Sequence, residues 1–443
     1  MDQNTLLGSS FVCDCGKKHS VPTKEMIYSR DCCDTLLQTA LAMPSSTRYL
    51  IIADTRTYEA AAKSVFERLR NKALSISLFI VPDHNGESPV ADTATRDLII
   101  NEAPEADVYI AVGSGVINDL VKWAAYLGKK TYFTIPTAAS MNGYASANVA
   151  ATVDGLKVLF HADAPSMVFA DPDILRNAPY ELTASGLGDV LAKSISSADW
   201  KLNHFLFNDY YCRFSVDLLK ELEPVYLNNP ERIKALHPEA LQALFEALFY
   251  SSIAMTITGT SSPASGAEHL ISHTLDMTAD RDGRKHDLHG RQVGVASILM
   301  AALYEKIMSI ETPHFTSAPE NITTDFWGSL APVVAKQYAG KKQRMDLAVR
   351  CLSDQKNWQK LKELITPDLI APARLKNCLA GAEGAHCFHH IRDNGTPLLR
   401  ERFINVVHNA HQMRERFTIL DLAVLLGVIP GETEELVDRW VTS

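Results

Sequence analysis

The sequence predicts a two-domain protein, an N-terminal α/β domain built on a parallel sheet followed by an all-α domain, and three observations carry that expectation. At 443 residues the chain is longer than one hydrophobic core usually serves. From Tyr49 to about Asp171 short β-branched runs alternate with stretches of helical periodicity, the pattern that makes a parallel sheet covered on both faces. After about residue 180 strand signal nearly vanishes and long helical patterns take over.

In chain order, residues 1–24 read as an appendage. Within it Cys13, Cys15 and His19 are spaced so that a zinc site is conceivable, but Gly16 between flanking valines favours a plain hairpin. Residues 25–180 form the α/β domain, with strands expected at 49–54, 78–81, 108–112, 132–135 and 167–170 and helices over 59–72 and 117–127. Residues 181–443 form the helical domain, with long helical patterns over 183–207, 238–255, 292–307 and 397–426 and proline-bearing loops at 312–324 and 366–373. The stretch from Arg414 to Asp421 reads as a buried amphipathic segment with charged ends.

Composition excludes several classes. Hydrophobic residues make up 46% and charged residues 21%, ordinary for a globular protein. A net charge of −9 without a long basic run gives no footprint for nucleic acid or an anionic membrane. The start, Met1 to Asn4, carries no targeting pattern, and no window approaches the roughly twenty apolar residues of a membrane helix, so a cytoplasmic protein is expected. Eight cysteines are too sparse for a disulfide framework and read as reduced thiols. The cluster His386, Cys387, His389 and His390 reads as surface rather than site.

Metal chemistry is suggested by Asp189, His269 and His289. Two imidazoles and one carboxylate leave coordination positions open for water or a substrate oxygen, which a cation needs if it is to polarise a carbonyl. His269 and His273 are four apart and share a helix face, and the small residues Ser265 to Ala267 permit close approach just before them.

A nucleotide is suggested by the turn Gly113, Ser114, Gly115, Val116, Ile117, Asn118, Asp119, which leads from a strand into a helix. Glycines there let the backbone approach a pyrophosphate and the helix start presents amides, although a lone Gly-x-Gly is a weak signal. Asp54 closes the first strong strand, where it either accepts from ribose hydroxyls, favouring NAD over NADP, or simply caps a helix. The segment Thr137, Ala138, Ala139, Ser140 through Ser146 is a small, hydroxyl-rich loop suited to ribose, pyrophosphate and polar substrate contacts.

Taken in order, Gly113 to Asp119, Pro136 to Ser140, Gly143 to Ser146, Ala170-Asp171, Gly186 to Asp189, Asp199-Trp200, Pro263 to His269, His289-Gly290 and Arg416 to Asp421 resemble the sn-glycerol-1-phosphate dehydrogenase family. That family sits among the dehydroquinate synthase-like and iron-containing alcohol dehydrogenases, and the resemblance runs from about Asp54 to Leu426. It implies a Rossmann-like NAD(P)-binding domain, a helical metal- and substrate-binding domain and an active site in the cleft between them. By the resemblance, Asp54, Gly115 to Asp119, Thr137 to Ser140 and Ser146 fall on cofactor positions, and Asp189, His269 and His289 on ligands to one divalent ion, zinc, nickel or iron. His273 falls on a substrate-contacting histidine. Asn142 stands where the family usually carries Asp in the substrate loop, and Lys193 where iron-dependent relatives place a fourth histidine. The implied activity is metal-dependent reduction of a triose phosphate, dihydroxyacetone phosphate, to sn-glycerol 1-phosphate by NADH or NADPH. Lys157, Lys193 and Arg291 are the cations considered for the phosphate, and a homodimer is the expected assembly. The rivals are a glycerol or other polyol dehydrogenase on the same scaffold and a nucleotide-binding regulatory protein without catalysis.

Overall fold

The computed structural model describes residues 3–72, 74–84, 86–153 and 156–442. They form two compact units, one of Met1–Gly186 with Phe214–Thr260, the other of Leu187–Arg213 with Ser261–Ser443.

The first unit opens with a hairpin of β1 (Ser10–Val12) and β2 (Lys18–Ser20). Its core is a six-stranded parallel sheet of β3 (Glu25–Tyr28), β4 (Arg48–Asp54), β5 (Ser75–Val81), β6 (Val108–Val112), β7 (Thr131–Ile135) and β10 (Met167–Ala170), in the order β3-β10-β7-β6-β4-β5. The interior strands β4 and β6 are buried almost throughout, which is why they show as unbroken apolar runs. Three strands of this unit were not foreseen. The edge strand β3 begins with exposed Glu25 and has only four residues. The antiparallel pair β8 (Asn148–Val153) and β9 (Leu156–His161) stands apart from the parallel sheet, so its short runs lacked the helix-strand alternation used to find the rest.

The partition differs from the expected division at residues 24 and 180. The segment 214–260, assigned by sequence to the helical domain, belongs to the first unit. Its helix Pro238–Thr258 is tied to the loop after β7: Ser252 Oγ accepts from the Ala145 amide at 2.9 Å, Thr256 Oγ1 accepts from the Ala147 amide at 2.8 Å, and the Thr256 hydroxyl donates to the Ala145 carbonyl at 2.8 Å. Contrary to the sequence expectation, this helix is long and apolar enough by length and composition to cross a membrane. Its apolar window is 83% buried inside the protein, as for a core helix, with Glu239 and Gln242 facing water near its start.

The second unit is helical apart from a two-residue pairing of Arg392–Asp393 with Thr396–Pro397. The run expected over 183–207 is two helices, Tyr180–Leu191 and Lys193–Phe207, meeting at Ala192. The pattern expected over 397–426 also divides, into Arg400–Asn409, a 3-10 turn at Ala410–Met413 and Ile419–Leu425. Thr418 restarts the chain with a capping box in which the Asp421 carboxylate accepts from the Thr418 amide at 2.7 Å.

Candidate active site

In the second unit, glycine determines where the candidate metal ligands stand. A Cβ on Gly188 would lie 2.0 Å from the Gly290 carbonyl oxygen, so the backbone before Asp189 and the start of helix His289–Met308 are in direct apposition. Gly294, one turn further along, also faces Gly188, where a Cβ on Gly294 would lie 3.0 Å from the Gly188 Cα. Helix Ala267–Arg281 contributes His269 on its first turn and His273 one turn later. Gly266 precedes it because nothing larger fits: a Cβ there would meet Asp199 Oδ2 at 2.6 Å and Glu268 Oε2 at 2.9 Å.

These elements bring donor atoms of Asp189, His269 and His289 within 4.8 Å of one another. His269 Nε2 lies 3.5 Å from Asp189 Oδ1, and the His269 and His289 rings are 5.0 Å apart. A second group, His273, Asp276 and His289, meets the same distance criterion. His273 therefore belongs to the same cluster, its ring stacked 5.5 Å from that of His289.

The surrounding hydrogen bonds set the imidazoles up as ligands. Glu268 Oε1 takes His269 Nδ1–H at 2.7 Å, which leaves Nε2 facing Asp189. The Ser272 hydroxyl donates to Gln292 Oε1 at 2.7 Å, so its oxygen is an acceptor for His289 Nδ1–H at 3.0 Å and Nε2 is left with its lone pair. A carboxylate and two imidazoles so oriented fit a divalent cation. Although burial opposes it, the Asp189 and Glu268 carboxylates push His269 up to about 9. Asp199 is pushed up to about 7 by burial and then by the Glu268 charge, against the donors Tyr304 hydroxyl, Ala267 amide and Ile419 amide.

Residues missed by sequence reading complete this region. Arg416, expected as a charged end, is instead drawn inside, where its guanidinium donates to the Ser265 carbonyl at 2.6 Å and to Ser261 Oγ at 3.2 Å, holding the segment before His269. Glu268 stood in full view, but only the fold shows that its carboxylate is completely buried against His269. The second apparent cluster, His386, Cys387 and His390, also has donor atoms within 4.8 Å, with Cys387 buried and His389 exposed. Burial first, then neighbouring His386 and His389, pushes His390 down to about 4.

The candidate nucleotide residues lie in the first unit and divide by role. Ser114 and Gly115 open helix Gly115–Gly128 directly after β6, and a Cβ on Gly115 would meet nothing within 4 Å. Gly113 is different, because a Cβ there would strike Ile117 at 2.6 Å. The side chain of Ile117 enters the hydrophobic core and Asn118 Nδ2 donates to the Gly143 carbonyl at 3.2 Å, so these two positions face the expected nucleotide with their backbone amides only. Val116 is exposed, while Asp119 accepts from Lys122 Nζ at 3.1 Å.

Lys122, unforeseen, is fully buried and gathers the loop after β7 by donating to the Gly143 carbonyl at 2.9 Å, Ser146 Oγ at 3.0 Å and the Asn148 carbonyl at 2.9 Å. Ser146 is thereby engaged inside the loop, with Thr137, Ala138 and Ala139 buried nearby in sequence, Ser140 and Asn142 half-buried. Ser114 Oγ accepts from the Ala138 amide at 2.9 Å and joins this loop to the helix start. Asp54 caps the turn that follows it, accepting from the amides of Arg56 and Thr57 at 2.8 Å each. Of the three cations considered for phosphate, Arg291 is paired with Asp287 at 2.9 Å, Lys193 starts its helix, and the side chain of Lys157 lies outside the described residues.

The first unit thus has a parallel sheet with an open helix start after a central strand, and the second a converging carboxylate and two imidazoles. A family profile described as iron-containing alcohol dehydrogenase matches residues 34–179. Structures with the same fold include glycerol dehydrogenase from Schizosaccharomyces pombe, with TM-score 0.59 at 14% identity over 94% of this chain and 91% of that one. An alcohol dehydrogenase from Oenococcus oeni gives TM-score 0.56 at 12% identity over 94% and 98%.

Sequence relatives are more specific. Glycerol-1-phosphate dehydrogenase (NAD(P)+) of Halalkalibacterium halodurans is 32% identical over 80% of this chain and 86% of its own length. The enzyme of that name from Geobacillus stearothermophilus is 28% identical over 92% and 94%, and that of Pyrococcus abyssi 34% identical over 58% and 71%. The chain belongs to the glycerol-1-phosphate dehydrogenase family and is an NAD(P)-dependent alcohol-type oxidoreductase acting on a small molecule.

Proposed function

We propose that this enzyme reduces dihydroxyacetone phosphate to sn-glycerol 1-phosphate, with one divalent ion held by Asp189, His269 and His289. The observation that supports the reading most is the convergence of those three side chains, with both imidazoles already turned to offer Nε2. When bound, the ion would supply Lewis-acid polarisation of the substrate carbonyl and the reduced nicotinamide the hydride. Glu268 and Ser272 hold the two imidazoles in their ligating tautomers, so no reorientation is needed when the site is loaded. His273, stacked on His289, contacts substrate and relays the proton that the product oxygen takes up.

The first unit contributes amides at the start of helix Gly115–Gly128, the loop from Thr137 to Ser146 and the carboxylate of Asp54. Their roles toward pyrophosphate, ribose and nicotinamide follow the family positions, with NADH preferred because a carboxylate repels a 2′-phosphate. Asn142 offers a neutral amide to the substrate in place of a charged acceptor. The ion is zinc, nickel or iron, since nitrogen and carboxylate donors suit all three. The protein works as a homodimer in the cytoplasm, on the strength of the family resemblance.

The test is a rate screen of the metal-stripped enzyme reloaded with zinc, nickel or iron, using both reduced nicotinamides, with dihydroxyacetone phosphate against dihydroxyacetone. Turnover of the phosphorylated ketone in excess, and a product with sn-1 stereochemistry, is expected. Preference for the unphosphorylated ketone would move the enzyme to the polyol dehydrogenases.

A further inference from the structure

The hairpin at the N-terminus carries a second group of metal donors that the catalytic reading does not use. Donor atoms of Cys13, Cys15 and His19 lie within 4.8 Å of one another, and Cys15 Sγ is 3.1 Å from His19 Nε2. Around a tetrahedral zinc, with bonds of about 2.3 Å to sulfur and about 2.0 Å to nitrogen, ligand atoms stand roughly 3.5–3.8 Å apart. Small adjustments of the side chains bring the group to that spacing.

The backbone of the turn is arranged for it. The Cys13 amide donates to the Lys17 carbonyl at 2.9 Å and the Gly16 amide to the Cys13 carbonyl at 2.9 Å, so the chain folds back tightly between the two thiols. Gly16 sits at φ +82°, a conformation side-chain-bearing residues rarely adopt. His19 is only 3% exposed, pairs with Phe11 across the strands and lies with its ring 5.5 Å from that of Phe11.

The two strands have three residues each and Val12 is 81% exposed, while Phe11 packs edge-on against Phe214 and His19 is buried. An ion would lock the turn that carries the two thiols.

We infer that Cys13, Cys15 and His19 form a structural metal site for zinc, chemically separate from the catalytic one. Two sulfurs and an imidazole select a borderline-soft ion more strictly than the carboxylate and two imidazoles of the catalytic set. The site staples the appendage, which is joined to the main sheet through the Lys24 amide donating to the Ser166 carbonyl at 2.8 Å and the Thr23 hydroxyl donating to the Pro165 carbonyl at 2.8 Å.

The inference is tested on the full chain, stripped with chelator under reducing conditions and reloaded with zinc alone. Two zinc ions per chain are expected for the unaltered protein, one for a Cys13→Ser/Cys15→Ser variant and one for His269→Ala. Failure of the catalytic assignment would show as unchanged content in His269→Ala alone. Because the hairpin variant could lose its fold, cobalt loading of the unaltered protein gives a second readout. A thiolate-to-cobalt charge-transfer band, retained in His269→Ala and lost in Cys13→Ser/Cys15→Ser, supports the site. Zinc content equal in the unaltered and double-serine proteins, or no thiolate band with cobalt, overturns it.

Discussion

Gly188 and Gly290 touch backbone to backbone, so closely that a methyl group on Gly188 would stand 2.0 Å from the Gly290 carbonyl oxygen. Each glycine adjoins a candidate ligand in sequence, Asp189 on one side and His289 on the other. Their contact therefore sets the ligand spacing. Alanine at 188 has to push the two segments apart, at about 1–3 kcal/mol for overpacking. A ligand displaced by about 1 Å costs on the order of 100-fold in rate. Gly188→Ala is expected to lower kcat/KM by about that factor while retaining a cooperative urea transition, and wild-type kcat/KM would refute the relationship.

Glu268 makes no contact with solvent, and its Oε1 bonds both the Gly266 amide and His269 Nδ1 at 2.7 Å. Glutamine keeps the shape and an acceptor oxygen but removes the charge that makes the imidazole more basic. Glu268→Gln should weaken metal affinity about 10–100-fold, the usual cost of losing such a partner, with little change in fold. A competition titration against a chelator measures it, and unchanged affinity would mean that the charge plays no part.

Proton and metal compete for His269. Without metal its pKa lies at about 9, above the ordinary 6.5, because Asp189 and Glu268 outweigh burial. Protonation in this range stabilises the metal-free fold: the contribution is complete below pH 6.5 and is lost as pH rises through about 9. Metal binding must release that proton, so apparent affinity should rise by up to about tenfold per pH unit below that pKa and level off above it. Titrations between pH 6 and 10 read this directly, while melting of the metal-free protein shifts the opposite way.

The sequence made the sheet legible wherever a strand is buried on both faces, as in β4 and β6, because uniform burial writes an uninterrupted apolar run. It hid helix Pro238–Thr258 as a member of the first unit, since a helix whose short polar stripe (Glu239, Gln242, Glu246) is followed by buried residues on nearly every side does not show which partner it serves. At the site, His269 and His289 were legible because histidines beside small residues are chemically distinctive. Glu268 was not, because one carboxylate in a row of ordinary residues acquires its role only from the turn that buries it. The Gly113 to Asp119 run was legible as a turn into a helix but not in its division of labour. Helical periodicity sends Ile117 into the core, and Asp119 instead faces Lys122.

Lys122 offers three N–H bonds to four acceptors, one of them the Asp119 carboxylate at 3.1 Å. Burial lowers its pKa while Asp119 works to keep it charged. Methionine would fill the space but leave Asp119 and the carbonyls of Gly143 and Asn148 without this donor. Lys122 is fully buried and Asp119 only partly, so removing the lysine typically costs about 1–3 kcal/mol, the cost of leaving such acceptors unpaired. Lys122→Met is thus expected to lower stability by that amount and, by releasing the loop from Gly143 to Asn148, to raise the KM for reduced nicotinamide more than it lowers kcat. Adding Asp119→Asn should recover part of the stability, because it removes the stranded charge. A double-mutant cycle by urea denaturation with coupling below about 0.5 kcal/mol would show that the lysine and aspartate act independently.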